Sequence, residues 1–396
     1  MGKHQIKATD KKLDKEFLDR IVEIRRDLHQ YPELSWQEHK THQKIISWVK
    51  ELGINNFREV AGTGLIVDIE GKNPDKVVAL RADIDALPIE EASGLEFSSQ
   101  NVGVMHACGH DGHTAILLGA AELLLRQSPM PCNIRLIFQP AEEVGTGANA
   151  MIREGALDDV QMIFGVHIDL NYPAGNVVAV EGPVNASADR FSIRLLGKGG
   201  HAARPHQTRD ALVGGAQLVM ALQTVVSREL DPGKSGVLTV GQFKAGQRHN
   251  IISGEAYLEG TVRTQEEAVR EQIFSSLHRI AASIGELHEL EVQVEMHEGT
   301  PAVINLEEPA RLARRAAEIV VGENGLRELP SANMSGEDFG FYLEKVAGCF
   351  VRLGARPQGE VFPAHSSRFH FDEKVLGTGA NFMVQVAKSA GEFLTS

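Results

Sequence analysis

Met105-His106-Ala107-Cys108-Gly109-His110-Asp111-Gly112-His113 places a thiol, three imidazoles and a carboxylate in nine residues, and an Ala- and Leu-rich run from Thr114 to Gln127 follows at once. That run reads as a helix, so the donors occupy a turn that feeds a helix N-terminus, with two glycines letting the backbone bend between them. Amide N–H groups and the helix dipole at such a position favour a thiolate. Soft nitrogen and sulfur donors this close together suit a transition metal, and Cys108 and His110 read as ligands. The alternative is a solvated histidine-rich turn with a buried thiol.

Working outward, apolar strands flank this turn. Gly64 to Ile69 and Val77 to Leu80 lie upstream, joined by the turn Gly71-Lys72-Asn73-Pro74-Asp75, and the second runs into Arg81-Ala82-Asp83-Ile84-Asp85-Ala86-Leu87-Pro88. Downstream, Ile134 to Phe138 ends in Gln139-Pro140-Ala141-Glu142-Glu143, and Ile163 to Val166 ends in His167. Strand and helix alternate, with polar residues at the C-terminal ends of strands. In an open α/β sheet that edge binds ligands, and a parallel sheet would bring Cys108, His110, Glu143 and His167 together. Taken singly, Glu142-Glu143 reads equally as a solvated loop, His167 as a satisfied half-buried imidazole, and the carboxylates after Leu80 as turn caps.

Residues 1–14 read as an arm. Phe17 to Leu28 and Glu38 to Leu52 have helical spacing, separated by a break at Pro32. Trp36 and Trp48 read as packing on these helices. His29, His39, His42, His278, His288 and His297 read as helix or strand surface. From Ser187 the pattern changes: Phe191–Leu196, Asp210–Glu229, Val237–Phe243, Glu255–Arg263, Thr264–Ile284 and Leu290–His297 give the order β-α-β-β-α-β, with a flexible turn at Gly197-Lys198-Gly199-Gly200-His201. This is a compact ferredoxin-like unit inserted into the first domain, and its exposed sheet edges suit pairing with another subunit. Helix-then-strand alternation resumes at Pro309, and Pro363-Ala364-His365-Ser366-Ser367 forms a loop with another histidine. The expected fold class is α/β, a mixed and mostly parallel sheet flanked by helices. The expected domains are 1–186 and 299–396 for the main domain and 187–298 for the insertion.

The chain has 396 residues, enough for two domains, and 42% of them are hydrophobic. A net charge of −13 argues against a nucleic-acid partner. Three widely spaced cysteines, Cys108, Cys132 and Cys349, make no disulfide framework and point to a reducing, cytoplasmic setting, with Cys132 and Cys349 in the core. Met1 to Lys15 is polar, and no apolar run approaches 18 residues, so neither a signal peptide nor a membrane span is expected.

Six motifs in order, RADIDALP, MHACGHDGH, QPAEE, GVHI, GKGGHAARPH and PAHSSRF, resemble the amidohydrolase branch of the zinc aminoacylase/carboxypeptidase superfamily, from about residue 15 to the C-terminus. The resemblance implies two divalent metal ions per subunit, zinc or manganese, held by Cys108, His110, Glu143, His167 and His365. It implies Glu142 as general base and His201, on the inserted lid, as the catalytic donor to the oxyanion. Asn250 and Arg263 fall where the wider superfamily contacts the substrate carboxylate. Other branches carry His-x-Asp where Arg81-Ala82-Asp83 stands, which leaves Asp83 as a residue behind the ligands that orients one of them. The implied substrate is a small N-acyl amino acid or short peptide, and the implied assembly a homodimer or higher homo-oligomer through the lid. The competing readings are a dipeptidase or carboxypeptidase on the same metals, a thiol hydrolase using Cys108, and a metal-binding scaffold without activity.

Overall fold

A computed structural model describes residues 13–127 and 129–396; most of the arm read at residues 1–14 lies outside them. The described residues form two compact units. One contains the chain up to Gly182 with Ile304–Pro330 and Phe341–Ser396, the other Pro183–Val303 with Ser331–Gly340.

The first unit is built on a seven-stranded sheet, in the order Phe57–Val60, Gly64–Ile69, Cys132–Gln139, Asn73–Asp83, Val160–Pro173, Ala347–Arg356, Val177–Val178. The three central pairings are parallel. The outer pairings are antiparallel. The sheet is therefore mixed, with a parallel centre. Its middle strands carry unbroken buried runs, Val78 to Asp83 and Ile134 to Gln139, as expected of strands covered on both faces. Helices Lys15–Gln30, His110–Leu125, Glu307–Val321 and Lys374–Thr395 supply the cover, and Cys132 and Cys349 lie in this core.

Several elements differ from the sequence reading, three of them in this sheet for reasons the residues show. Asn73–Asp83 continues past Leu80 because the buried Arg81 and Asp83 pair with each other, Nη1 to Oδ2 at 2.6 Å, so charge does not end the strand. Val160–Pro173 runs beyond His167, which sits mid-strand, with Ala347–Gly354 pairing alongside. Phe57–Val60 is an edge strand too polar and short to show as an apolar run.

The second unit holds a four-stranded sheet, in the order Gly236–Ala245, Glu255–Thr264, Ala188–Leu196, Glu291–Thr300, with every pairing antiparallel. Helices Ala211–Thr224 and Glu267–His288 pack on it around Phe191, Ile193, Leu218, Leu258, Ile273 and Leu277. Asp210 caps the first helix by accepting from the Leu212 and Val213 N–H groups. A buried pair joins Asp189 to Arg270 at 2.7 and 2.9 Å. Ala211–Glu229 is long and apolar enough by composition to cross a membrane, although Gln217, Gln223 and Arg228 interrupt its apolar run. Its inner face, with Leu218, Leu222 and Val225, lies in this core, while Leu212, Val213, Met220 and Val226 are exposed.

Candidate metal centre

The cysteine–histidine turn depends on its glycines. Gly109 has φ of 96°, a left-handed conformation that costs an L side chain energy. A Cβ on Gly112 would lie 2.6 Å from Ile168 Cδ1 and 2.7 Å from Phe371 Cζ. The helix begins at His110, four residues earlier than its apolar run suggests, so His110 lies in the first turn and Cys108 just before it.

His110 Nδ1 lies 3.0 Å from the Asp85 carbonyl oxygen and 3.2 Å from the Asp85 carboxylate. Those contacts hold the ring with Nε2 facing inward. Nε2 is buried and has no hydrogen-bond partner. Around it stand Asp83 Oδ2 at 3.7 Å, Glu143 Oε1 at 3.8 Å and Glu142 Oε2 at 3.9 Å. Cys108 Sγ lies 3.6 Å from His167 Nε2, while His167 Nδ1 donates to the Ile168 carbonyl at 2.7 Å. That bond fixes the tautomer whose Nε2 carries a lone pair. His365 Nε2 lies 3.5 Å from Glu143 Oε2, and its backbone N–H donates to the Ala107 carbonyl at 2.8 Å, docking the Pro363–Ser367 loop on the cysteine turn.

Cys108, His110 and His167 thus form one donor group, and Cys108, Glu143 and His365 a second, with Cys108 common to both. Separations of 3.5–3.8 Å match the spacing of about 3.4 Å between donors that each sit about 2.1 Å from one tetrahedral ion. A buried imidazole nitrogen with no partner, at the meeting point of thiol, imidazole and carboxylate donors, fits a divalent metal.

Asp83, His110 and His113 also cluster, but without free donors on His113. His113 Nδ1 donates to Asp83 Oδ1 at 2.6 Å, and its Nε2 accepts from the Ile168 N–H at 2.9 Å. Asp83 therefore braces His113. The carboxylate that bonds His110 directly is Asp85, which also accepts from the Glu143 N–H at 3.1 Å and Ser35 Oγ at 2.7 Å. The sequence reading assigned the ligand-orienting role to Asp83; the carboxylate on His110 Nδ1 is Asp85, and Asp83 bonds His113.

Electrostatics follow from burial. Burial, reinforced by the Glu143 charge, pushes the Cys108 thiol up. This reverses the thiolate expected from helix position alone, because desolvation outweighs the dipole. Burial also lowers His167, keeping it neutral. Burial opposes charge on His110, yet the Asp83 carboxylate and the bond to Asp85 raise it. Glu142 and Glu143 occupy a turn, so both carboxylates reach His110; Glu143 also meets His365.

Two histidines read as surface are buried instead. His29 Nδ1 lies 2.9 Å from Asp111 Oδ2 and its Nε2 3.2 Å from Glu91 Oε1. Asp111, which Arg25 Nε also contacts at 2.7 Å, anchors the helix start through a buried ion pair. His42 bonds Glu59 and the Thr63 carbonyl. Charged partners far along the chain make both burials tolerable. Trp48 packs against the core, but Trp36 is 40% exposed on the loop between the first two helices.

The remaining sequence candidates belong to the second unit. His201 is exposed on a two-residue strand paired with Ile251, and Asn250 adjoins it, its carbonyl accepting from the Ala202 N–H at 3.1 Å. Arg263 lies apart from them on Glu255–Thr264, with Nη1 donating to the carbonyls of Val262 and Asp189.

Comparison with known proteins gives one consistent result. A model described as peptidase family M20/M25/M40 matches residues 79–389. The N-acetyl-L-cysteine deacetylase of Bacillus subtilis is 41% identical over 93% of this chain and 87% of its own length. Thermostable carboxypeptidase 1 of Saccharolobus solfataricus is 38% identical over 92% of this chain and 94% of its own. A crystal structure of a Bacillus subtilis protein described as a dinuclear metal-binding peptidase of the M20 family superposes with a TM-score of 0.84 at 35% identity, covering 96% of this chain and 99% of that one.

Proposed function

The chain belongs to peptidase family M20/M25/M40 as a metal-dependent hydrolase, and from that premise we propose that it cleaves the amide bond of N-acyl amino acids at a two-metal centre. The observation that carries the reading is Cys108, shared by two donor groups that together take in His110, His167, Glu143 and His365. As a thiolate, Cys108 would offset the charge of bound cations and favour zinc, with manganese tolerated by the histidine and carboxylate donors. When bound, the metals supply an activated water and polarise the scissile carbonyl.

The chain's own residues do the rest. Asp85 orients His110 and fixes the backbone of Glu143. Asp83 holds His113, which holds the strand beside His167. Glu142, beside the donors, takes a proton from the attacking water and hands it to the departing amine. His201 is assigned as donor to the oxyanion, and Asn250 and Arg263 as partners of the substrate carboxylate; the motif resemblance supports these three roles. Residues 187–298 serve as the lid and dimerisation domain, and the enzyme works in the cytoplasm. Exposed Val213 and Met220 on the helix, with Val237 and Phe243 on the sheet's edge strand, support contact with a second copy. Light scattering on Met220→Glu with Val213→Glu tests this, with a monomer expected.

A carboxypeptidase acting on short peptides is the second reading, favoured by the Saccharolobus relative. Assaying one amino acid as its acetyl, benzoyl and aminoacyl derivatives, after reconstitution with Zn, Mn or Co, decides between them. Cleavage confined to the free-amine derivatives overturns the amidohydrolase reading.

A further inference from the structure

Six non-glycine residues among those described have positive φ, and three belong to the segments that carry or brace the donors: Trp36 at 65°, Ala141 at 54° and His365 at 66°. Ala141 precedes Glu142, and His365 is itself a candidate ligand. Trp36 has no such role, and a bulky side chain in left-handed backbone is a genuine outlier. Such strain persists where the surroundings over-determine it, and its usual location is a functional site.

The surroundings of Trp36 do over-determine it. Leu34 bridges to Ala86. Ser35 Oγ donates to Asp85, the carboxylate that orients His110. Glu38 accepts from the Ala141 N–H at 2.9 Å. Trp36 Nε1 donates to Thr146 Oγ1 at 3.1 Å, on the segment just past Glu142 and Glu143. The loop is thus tied on both sides to residues that set the metal donors, yet the indole is left exposed. With its only polar group used by Thr146, the ring has an apolar face to offer.

On the amidohydrolase reading above, we propose that Trp36 is a specificity-determining residue, whose indole face forms an apolar wall for the acyl group of the substrate. It favours aromatic or extended acyl groups over acetyl.

Two measurements test this. In the metal-loaded protein, Trp36→Ala and Trp36→Gly are expected to raise KM for an N-benzoyl amino acid by about tenfold, the effect of losing one aromatic contact. The matching N-acetyl substrate and kcat on either should change less than about twofold, and Trp36→Phe should recover most of the loss. Trp36→Gly should keep the parent melting temperature, because glycine adopts this φ without strain. The second measurement uses Trp48→Phe, which leaves Trp36 as the only tryptophan of the two in the chain. Benzoate should change its fluorescence saturably, and acetate should not. Equal effects on benzoyl and acetyl substrates, unchanged KM values, or no benzoate signal overturn the proposal. A parent protein inactive on every N-acyl amino acid overturns the amidohydrolase reading instead, and the benzoate titration then still decides whether the wall exists.

Discussion

Asp85 meets His110 twice: its backbone carbonyl and its carboxylate lie 3.0 and 3.2 Å from the same Nδ1. The carboxylate also takes the Glu143 N–H, so one buried side chain aligns two donors. Removing such an outer partner of a ligand typically costs about 10–100-fold in metal affinity. Asp85→Ala should lose that much in a chelator-competition titration while remaining folded by circular dichroism. Asp83→Ala should behave differently. It removes a charged partner of the buried Arg81, and breaking a buried pair costs about 3–5 kcal/mol, so a large fall in melting temperature is expected. Equal metal affinity in Asp85→Ala and the parent would refute the assignment.

Glu142→Gln separates proton transfer from metal holding. Glu142 approaches His110 Nε2 at 3.9 Å, and Glu143 lies 3.5 Å from His365 Nε2. The amide keeps the shape and cannot accept the proton. Turnover should fall by about 10²–10⁴-fold with metal content unchanged by elemental analysis. Loss of metal together with activity would make Glu142 a ligand and leave the base unassigned.

Much of this centre was legible because its donors come in short, type-specific runs. Cys108, His110, Glu143 and His167 could be nominated from residue type and position and His365 from the motif resemblance, and the structure brings them together. The supporting contacts were not legible, since each joins residues far apart in sequence: Asp85 to His110, Ser35 to Asp85, His29 to Asp111. Periodicity reports which face of an element is apolar, and it is silent on which buried charge meets which. That is why His29 read as surface, and why the strand through Arg81 and Asp83 read as ending at Leu80. Trp36 misled for a related reason: its residue type predicts packing, while its φ and its bond to Thr146 are tertiary facts.

Glu91 gives a pH-dependent stability test away from the donors. Burial opposes its charge, but bonds from His29, Ser93 and the Ser99 N–H win, lowering its carboxyl to about 2. A depressed carboxylate contributes stability above its unfolded value, and that contribution is lost as pH falls from about 4.5 towards 2. Glu91→Gln should therefore unfold at lower urea concentration at pH 7, by about 2–3 kcal/mol, with the gap to the parent narrowing below pH 4.5. A gap that stays constant down to pH 3 would show that the loss is one of shape and not of charge.

Cys108 decides between metal and thiol chemistry. Burial and the Glu143 charge push its thiol up, so the protein alone does not make it a nucleophile at neutral pH. A cation bound to the sulfur would displace its proton. Dialysis against a chelator should therefore abolish amide hydrolysis, and adding back Zn or Mn should restore it. A thiol hydrolase would keep its activity through the same treatment. Cys108→Ala should hold fewer than two metal ions per chain, because both donor groups lose their shared member. Cys108→Asp should recover part of the metal content with a preference moved from Zn towards Mn, since a carboxylate is the harder donor. Full metal occupancy in Cys108→Ala would mean that the two groups do not depend on the sulfur, and the shared-thiolate arrangement would have to be abandoned.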